Sequence, residues 1–144
     1  MEFRHGSLLD AEGLIVHQCN CVSSDAKGLA KEIFNKYPSS NCYTTSDIRI
    51  PGRILVKGNV VNLFGQNTPG KPKTYETKIH REEWFQKGLD ELRIYMTFHQ
   101  INEVSFPFLI GCGMAGGEWK NYYQMLKNFQ EKTGFNVVIC KLDE

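Results

Sequence analysis

The sequence has no apolar run near the roughly 20 residues that cross a bilayer, so no transmembrane helix is expected. It carries little net charge, +1 over 144 residues, which leaves out the broad basic footprint of nonspecific nucleic-acid binding. No segment is repetitive or low in complexity, which argues against a solenoid and against a disordered tail. The cysteines, at 19, 21, 42, 112 and 140, are odd in number and lack the spacing of a small disulfide scaffold. With no signal-peptide pattern at the start, reduced thiols in a cytoplasmic setting are expected. What remains is ordinary for a globular chain: 41% hydrophobic and 23% charged residues, at a length that suits one domain over 1–144.

The pattern along the chain alternates strand and helix. Glu2–His5 reads as a short strand, Gly6–Asp10 as a turn, and Leu14–Cys19 as a strand. Lys27–Tyr37 has helical spacing, with Ser24 or Asp25 as its cap and Pro38 as its stop. Ser39–Pro51 is polar and irregular. Arg53–Lys57 and Asn59–Phe64 flank Gly58 as a hairpin. Gly65–Thr74 is a loop. From His80 to about Gln100, Phe85, Leu89, Leu92 and Met96 recur at helical intervals. Glu103–Leu109 is a strand, Glu118–Lys132 a helix ending at Gly134, and Asn136–Leu142 a last strand. The alternation predicts an α/β fold with a mostly parallel buried sheet and helices on both faces. Ligands of such sheets bind beyond the carboxyl ends of the strands, where the loops after Cys19, Phe64 and Leu109 lie.

Two loops carry chemistry. After the strand at Ser105–Ile110 come four glycines within seven residues, Gly111, Gly113, Gly116 and Gly117, and then a helix. Glycines let backbone approach a ligand, and a helix start offers unpaired N–H groups with partial positive charge, which together make a phosphate cradle. Upstream, His17-Gln18-Cys19-Asn20 ends a strand and Lys27-Gly28-Leu29-Ala30 opens a helix. This asparagine, the Gly28-Leu29-Ala30 step, the Gly111-Cys112-Gly113 loop ahead of Trp119 and the Lys71–Glu76 segment occur in the order of the macro domain family, which the chain resembles over nearly its whole length. The likeness is strongest to macro domains that remove ADP-ribose from protein carboxylates or DNA, and to compact phage-type proteins that process ADP-ribose 1″-phosphate.

That resemblance implies a three-layer αβα fold, with a central mixed and mostly parallel sheet, that binds ADP-ribose. Asn20 would hydrogen-bond the distal ribose, since an amide both donates to and accepts from vicinal hydroxyls. Gly28, Leu29 and Ala30 would hold the proximal phosphate, and Lys27 could touch it. Gly111, Cys112, Gly113, Met114, Ala115 and Gly116 would wrap the distal phosphate and ribose. Gly65 and Gln66 would line the pocket after the second strand of the hairpin. Ser7 and the Leu8 N–H would contact adenine. Cys112 reads as a packing residue rather than a nucleophile, because no base is evident beside it.

The departures from the family are specific. Ser7 stands where relatives place the aspartate that reads adenine, so Asp10 could substitute. Gln66 stands where de-ADP-ribosylating relatives place a lysine, and Ala115 and Gly116 where some carry an aspartate. A lysine-adduct glycosidase is therefore disfavoured. His17 has two readings: a core histidine, or a general acid near a terminal phosphate. Its strand face also holds Cys19 and Cys21, but no fourth ligand at a familiar spacing accompanies them, and no metal or cofactor is expected.

The function expected is binding of ADP-ribose with hydrolysis of ADP-ribose 1″-phosphate to ADP-ribose and phosphate, Asn20 or His17 orienting a water. The alternatives are a non-catalytic module for ADP-ribose or a related NAD-derived nucleotide, and a weak ADP-ribosyl hydrolase. ADP-ribosylated macromolecules are further candidate partners. A monomer without membrane contact is expected, in the cytoplasm, or in a host's cytoplasm if the phage likeness is literal.

Overall fold

The computed structural model describes residues 1–142. Its six strands form one sheet in the order β1-β6-β5-β2-β4-β3. They are β1 (Glu2–His5), β2 (Leu14–Gln18), β3 (Ile54–Lys57), β4 (Val60–Leu63), β5 (Glu103–Pro107) and β6 (Asn136–Lys141). Every pair is parallel except β3 with β4, the hairpin expected around Gly58. Among the described residues three α-helices accompany the sheet, with three short 3-10 turns; the helices are α1 (Gly28–Lys36), α2 (Lys78–Phe98) and α3 (Trp119–Thr133). The mixed, mostly parallel α/β sheet expected from the alternation is the one found.

Strand alternation sorts the core into two layers. Leu14, Val16, Val61, Leu63, Val104, Phe106, Val137 and Ile139 face α2 and α3. Ile15, Cys19, Val60, Phe64, Val138 and Cys140 face α1. The expected stripe of α2 holds, since Phe85, Leu89, Leu92 and Met96 are all fully buried. Truncating any one of them to alanine costs about 2–5 kcal/mol. Gly88 interrupts the stripe because β4 lies so close: a Cβ there would meet the Leu63 side chain at 2.6 Å.

Helix α2 begins two residues earlier than expected. Thr77 caps it, its side chain taking the His80 N–H at 3.2 Å while His80 Nδ1 takes the Thr77 N–H at 3.2 Å. Neither Ser24 nor Asp25 caps α1, a correction to the expectation. Lys27 occupies that position, and no side chain satisfies the first turn. The strand expected to run to Leu109 stops at Pro107, because Leu109 adopts φ 66° and turns the chain out of the sheet.

The topology fixes where a ligand can sit. The chain leaves β2 for α1 on one face and leaves its neighbour β5 for α3 on the other. The two connections part between these strands and open a crevice at their carboxyl ends.

Candidate functional site

The first wall is built by Asn20. Its Oδ1 accepts the N–H groups of Val22 at 3.1 Å and Ser23 at 2.8 Å, which turns the chain just past β2. Its own N–H and its side-chain Nδ2 both donate to the Tyr43 hydroxyl, at 3.0 and 3.3 Å. Tyr43 comes from the segment expected to be merely irregular. It is buried beneath Asn20, and the Arg49 guanidinium lies 5.2 Å from its ring centroid while donating to the Ser23 carbonyl at 2.8 Å. Tyr43 is therefore part of the floor of the site, with Arg49 packed against it.

The open start of α1 forms the next wall. Gly28 has φ 56°, and Gly28, Leu29 and Ala30 line the crevice with Lys27. An uncapped helix start presents several N–H donors and a partial positive charge, a binding surface for an anion.

Opposite stands the loop after β5. Gly111, Gly113 and Gly116 have φ 78°, 65° and 77°. They serve different ends. A Cβ on Gly111 would meet the Tyr122 ring at 2.4 Å, and one on Gly117 the Gly111 carbonyl at 2.3 Å, so these two permit close packing. Gly113 has open space around it, and Gly116 lies under Lys71 and Pro72.

The third loop is locked by buried polar groups. Gln66 accepts from Gln18 Nε2 at 2.8 Å and donates to the Thr68 carbonyl at 3.0 Å. Beside it lies an ion pair, Arg81 Nε to Glu76 Oε2 at 2.8 Å, with both side chains almost wholly buried. Burial raises the Glu76 pKa, but the bonds from Arg81 and Thr68 outweigh it and hold the carboxyl below its ordinary value.

The three loops enclose a cleft of about 450 Å³, within the range of small-molecule sites. Of the residues expected at a site, His17, Asn20, Lys27, Gly28, Leu29, Ala30, Gln66, Gly111, Cys112, Met114 and Ala115 line it. Ser7, Leu8, Gly65, Gly113 and Gly116 do not. Ser7 Oγ caps the Leu8–Asp10 turn, accepting the Leu9 N–H at 3.1 Å, and Leu8 is core. Gly65 makes room for the Gln18 side chain, which a Cβ would meet at 2.4 Å. A second depression, of about 440 Å³, lies between the C-terminal ends of α2 and α3 and holds none of the expected residues.

His17 is at the cleft wall, only 2% exposed. Register pairs it with Asn62 on β4, and its Nε2 lies 2.6 Å from Asn62 Oδ1. Asn62 donates through Nδ2 to the carbonyls of Ser40 and Leu55, so its oxygen is the acceptor and His17 Nε2 carries a proton. Burial holds the imidazole pKa down to about 4. His17 is thus neutral at neutral pH, and its burial and its bond to Asn62 favour the core reading over the general acid. Gln66 is likewise occupied within the protein on both ends of its amide. The Cys112 thiol is pushed up to about 11 by burial and by Glu82, which fits packing rather than attack.

Sequence reasoning missed Tyr43, Arg49 and Arg81. Nothing in a polar segment marks Tyr43 as a residue of the cleft or Arg49 as its support. Arg81 did leave a signal: it stands one turn before Phe85 on the buried stripe of α2, where an arginine requires a buried partner.

No family model and no curated protein matches the sequence. Among solved structures, the macrodomain of Mycobacterium tuberculosis DarG superposes with a TM-score of 0.78 at 21% identity, over 96% of this chain and 95% of that one. The macrodomain of Thermus aquaticus DarG gives 0.74 at 21% identity, over 97% and 96%. Thermosipho africanus DarTG, solved in complex with ADP-ribose, gives 0.72 at 14% identity, over 97% of this chain and 41% of that one. At this coverage and these TM-scores, the chain has the macrodomain fold.

Proposed function

We propose that the cleft binds ADP-ribose. The observation that carries this is the convergence of two backbone anion cradles on one cavity: the uncapped start of α1 at Gly28–Ala30 and the loop at Gly111–Ala115. Two such cradles suit a diphosphate with a sugar at its far end, and Asn20 between them, its Oδ1 taken up by Val22 and Ser23, offers the second hydrogen of Nδ2 to a ribose hydroxyl. The structural likeness to a protein solved with ADP-ribose supports the same reading.

Recognition is the better-supported role. A glycosidase using a lysine adduct finds Gln66 instead, and His17 is neutral. Hydrolysis of ADP-ribose 1″-phosphate is the second reading, favoured by one observation. The turn at Gly113–Ala115 also begins without a side-chain cap, and while the Ala115 N–H bonds the Cys112 carbonyl at 3.3 Å, those of Gly113 and Met114 are left to stabilise charge developing on a terminal phosphate. Asp25, which lines the cleft, is then the carboxylate placed to orient water.

Calorimetric titration tests binding. ADP-ribose should bind saturably at 1:1 and at least about tenfold more tightly than AMP, a difference near 1.4 kcal/mol. Absence of ADP-ribose binding would sink the proposal. Phosphate release from ADP-ribose 1″-phosphate, above the buffer rate and reduced by Asp25→Asn, would establish the enzyme; no release leaves a binding module.

A further inference from the structure

We propose that the buried Glu76–Arg81 pair is a positioning element of the cleft, joining the turn at residues 66–70 to the second glycine loop and so fixing the far half of the pocket, beyond the first phosphate of an ADP-ribose ligand. The inference rests on the reading of the cleft given above.

The guanidinium spends its donors on two loops. Nε donates to Glu76 at 2.8 Å, Nη2 to the Thr68 carbonyl at 3.0 Å, and Nη1 to the carbonyls of Gly70 at 2.6 Å and Ala115 at 3.0 Å. Glu76 completes the clamp from the other side. It accepts the N–H groups of Asn67 and Thr68, each at 3.1 Å, and the Thr68 hydroxyl at 2.9 Å. Gly70 and Ala115 both line the cleft.

A purely stabilising role fits poorly. A buried ion pair gains little over well-packed apolar residues of the same size, and the rest of the α2 stripe is apolar. The carbonyls that Arg81 satisfies belong to the two loops, and none belongs to the sheet or to another helix. Its reach is also one-sided: the turn it holds meets the first loop at Cys21, whose N–H donates to the Asn67 carbonyl at 3.0 Å, and none of its own partners lies in α1, where the first phosphate cradle is built. Loss of the clamp should therefore affect the half of the ligand held by Ala115 and spare the half held by α1. Lysine cannot substitute: it keeps the charge but lacks the planar fork that serves several acceptors at once.

The test uses Arg81→Lys, which leaves Glu76 with a cation, together with the double variant Glu76→Gln/Arg81→Met, which removes both charges in case the first does not fold. Each is titrated with ADP-ribose and with AMP, and hydrogen exchange is followed in segments 28–36 and 111–117. ADP-ribose affinity should fall about tenfold while AMP affinity changes less than about twofold, and exchange should quicken in 111–117 alone. Equal loss for both ligands, unchanged ADP-ribose affinity, or exchange that rises equally in both segments would overturn the proposal. If the parent protein binds neither nucleotide, the ADP-ribose reading has failed by itself. The exchange contrast then still decides: quickening confined to 111–117 upholds the clamp, and its absence overturns it.

Discussion

The Tyr43 hydroxyl holds Asn20 by two atoms at once, the backbone N–H at 3.0 Å and the side-chain Nδ2 at 3.3 Å. The amide of Asn20 is thereby oriented from below, and the Asx turn through Val22 and Ser23 orients it from within. Tyr43→Phe should leave a buried backbone N–H unsatisfied, at a cost of about 1–2 kcal/mol. The expected result is a lower melting temperature together with about tenfold weaker ADP-ribose binding by calorimetry. A variant that melts like the parent and binds as tightly would show that Asn20 needs no such support.

His17 makes stability depend on pH in a defined window. Its pKa falls from 6.5 in the unfolded chain to about 4 in the fold. Above 6.5 both states are neutral and the contribution is complete. As pH falls from 6.5 toward 4, the unfolded chain takes up a proton that the folded one refuses, and stability declines. The full loss is about 3 kcal/mol, reached near the folded value. Denaturant midpoints measured across this range should slope downward toward acid, and His17→Gln should flatten that slope. Glu76 adds a second decline further into acid: its depressed carboxyl stabilises the fold above 4.5, and that contribution is lost as pH drops through the folded value.

The glycines of the second loop should separate in their response to alanine. Gly111→Ala sets a Cβ against the Tyr122 ring at 2.4 Å with φ at 78°, and should cost about 3 kcal/mol or more. Gly113→Ala meets open space and costs only the left-handed backbone, about 1 kcal/mol. Urea unfolding of the two variants tests the ranking. Gly113→Glu should remain folded while weakening ADP-ribose binding, because it adds a carboxylate between Cys112 and Met114, which line the proposed anion site.

Cys112 should resist alkylation at neutral pH. With its thiol pushed up to about 11, the thiolate fraction at pH 7.5 is below about one in a thousand. Iodoacetamide labelling followed by mass spectrometry should leave Cys112 unmodified under conditions that label a free thiol in solution. Rapid labelling would reopen a nucleophilic role.

Much of this protein is legible in its linear order because the relevant signals are local. Short apolar, β-rich runs pointed to β2, β4 and β6, the Phe85–Met96 spacing to α2, and Asn20 with Gly28–Ala30 and the glycines of 111–117 to two walls of the cleft. The mostly parallel sheet then follows from the strand–helix alternation, since a parallel sheet buried on both faces needs helices between its strands. The roles within the cleft were less legible. His17 read as either core or catalyst, and its environment, the Asn62 amide and the Phe34 ring at 5.2 Å, comes from residues 45 and 17 positions away. Tyr43 under Asn20, and Arg81 reaching across 34 residues to the Ala115 carbonyl, depend on contacts between distant segments that no local pattern encodes. Backbone periodicity sets which elements form. Protonation, amide orientation and the width of a cleft are set by what is packed against each group once water has been excluded, and that belongs to the assembled fold.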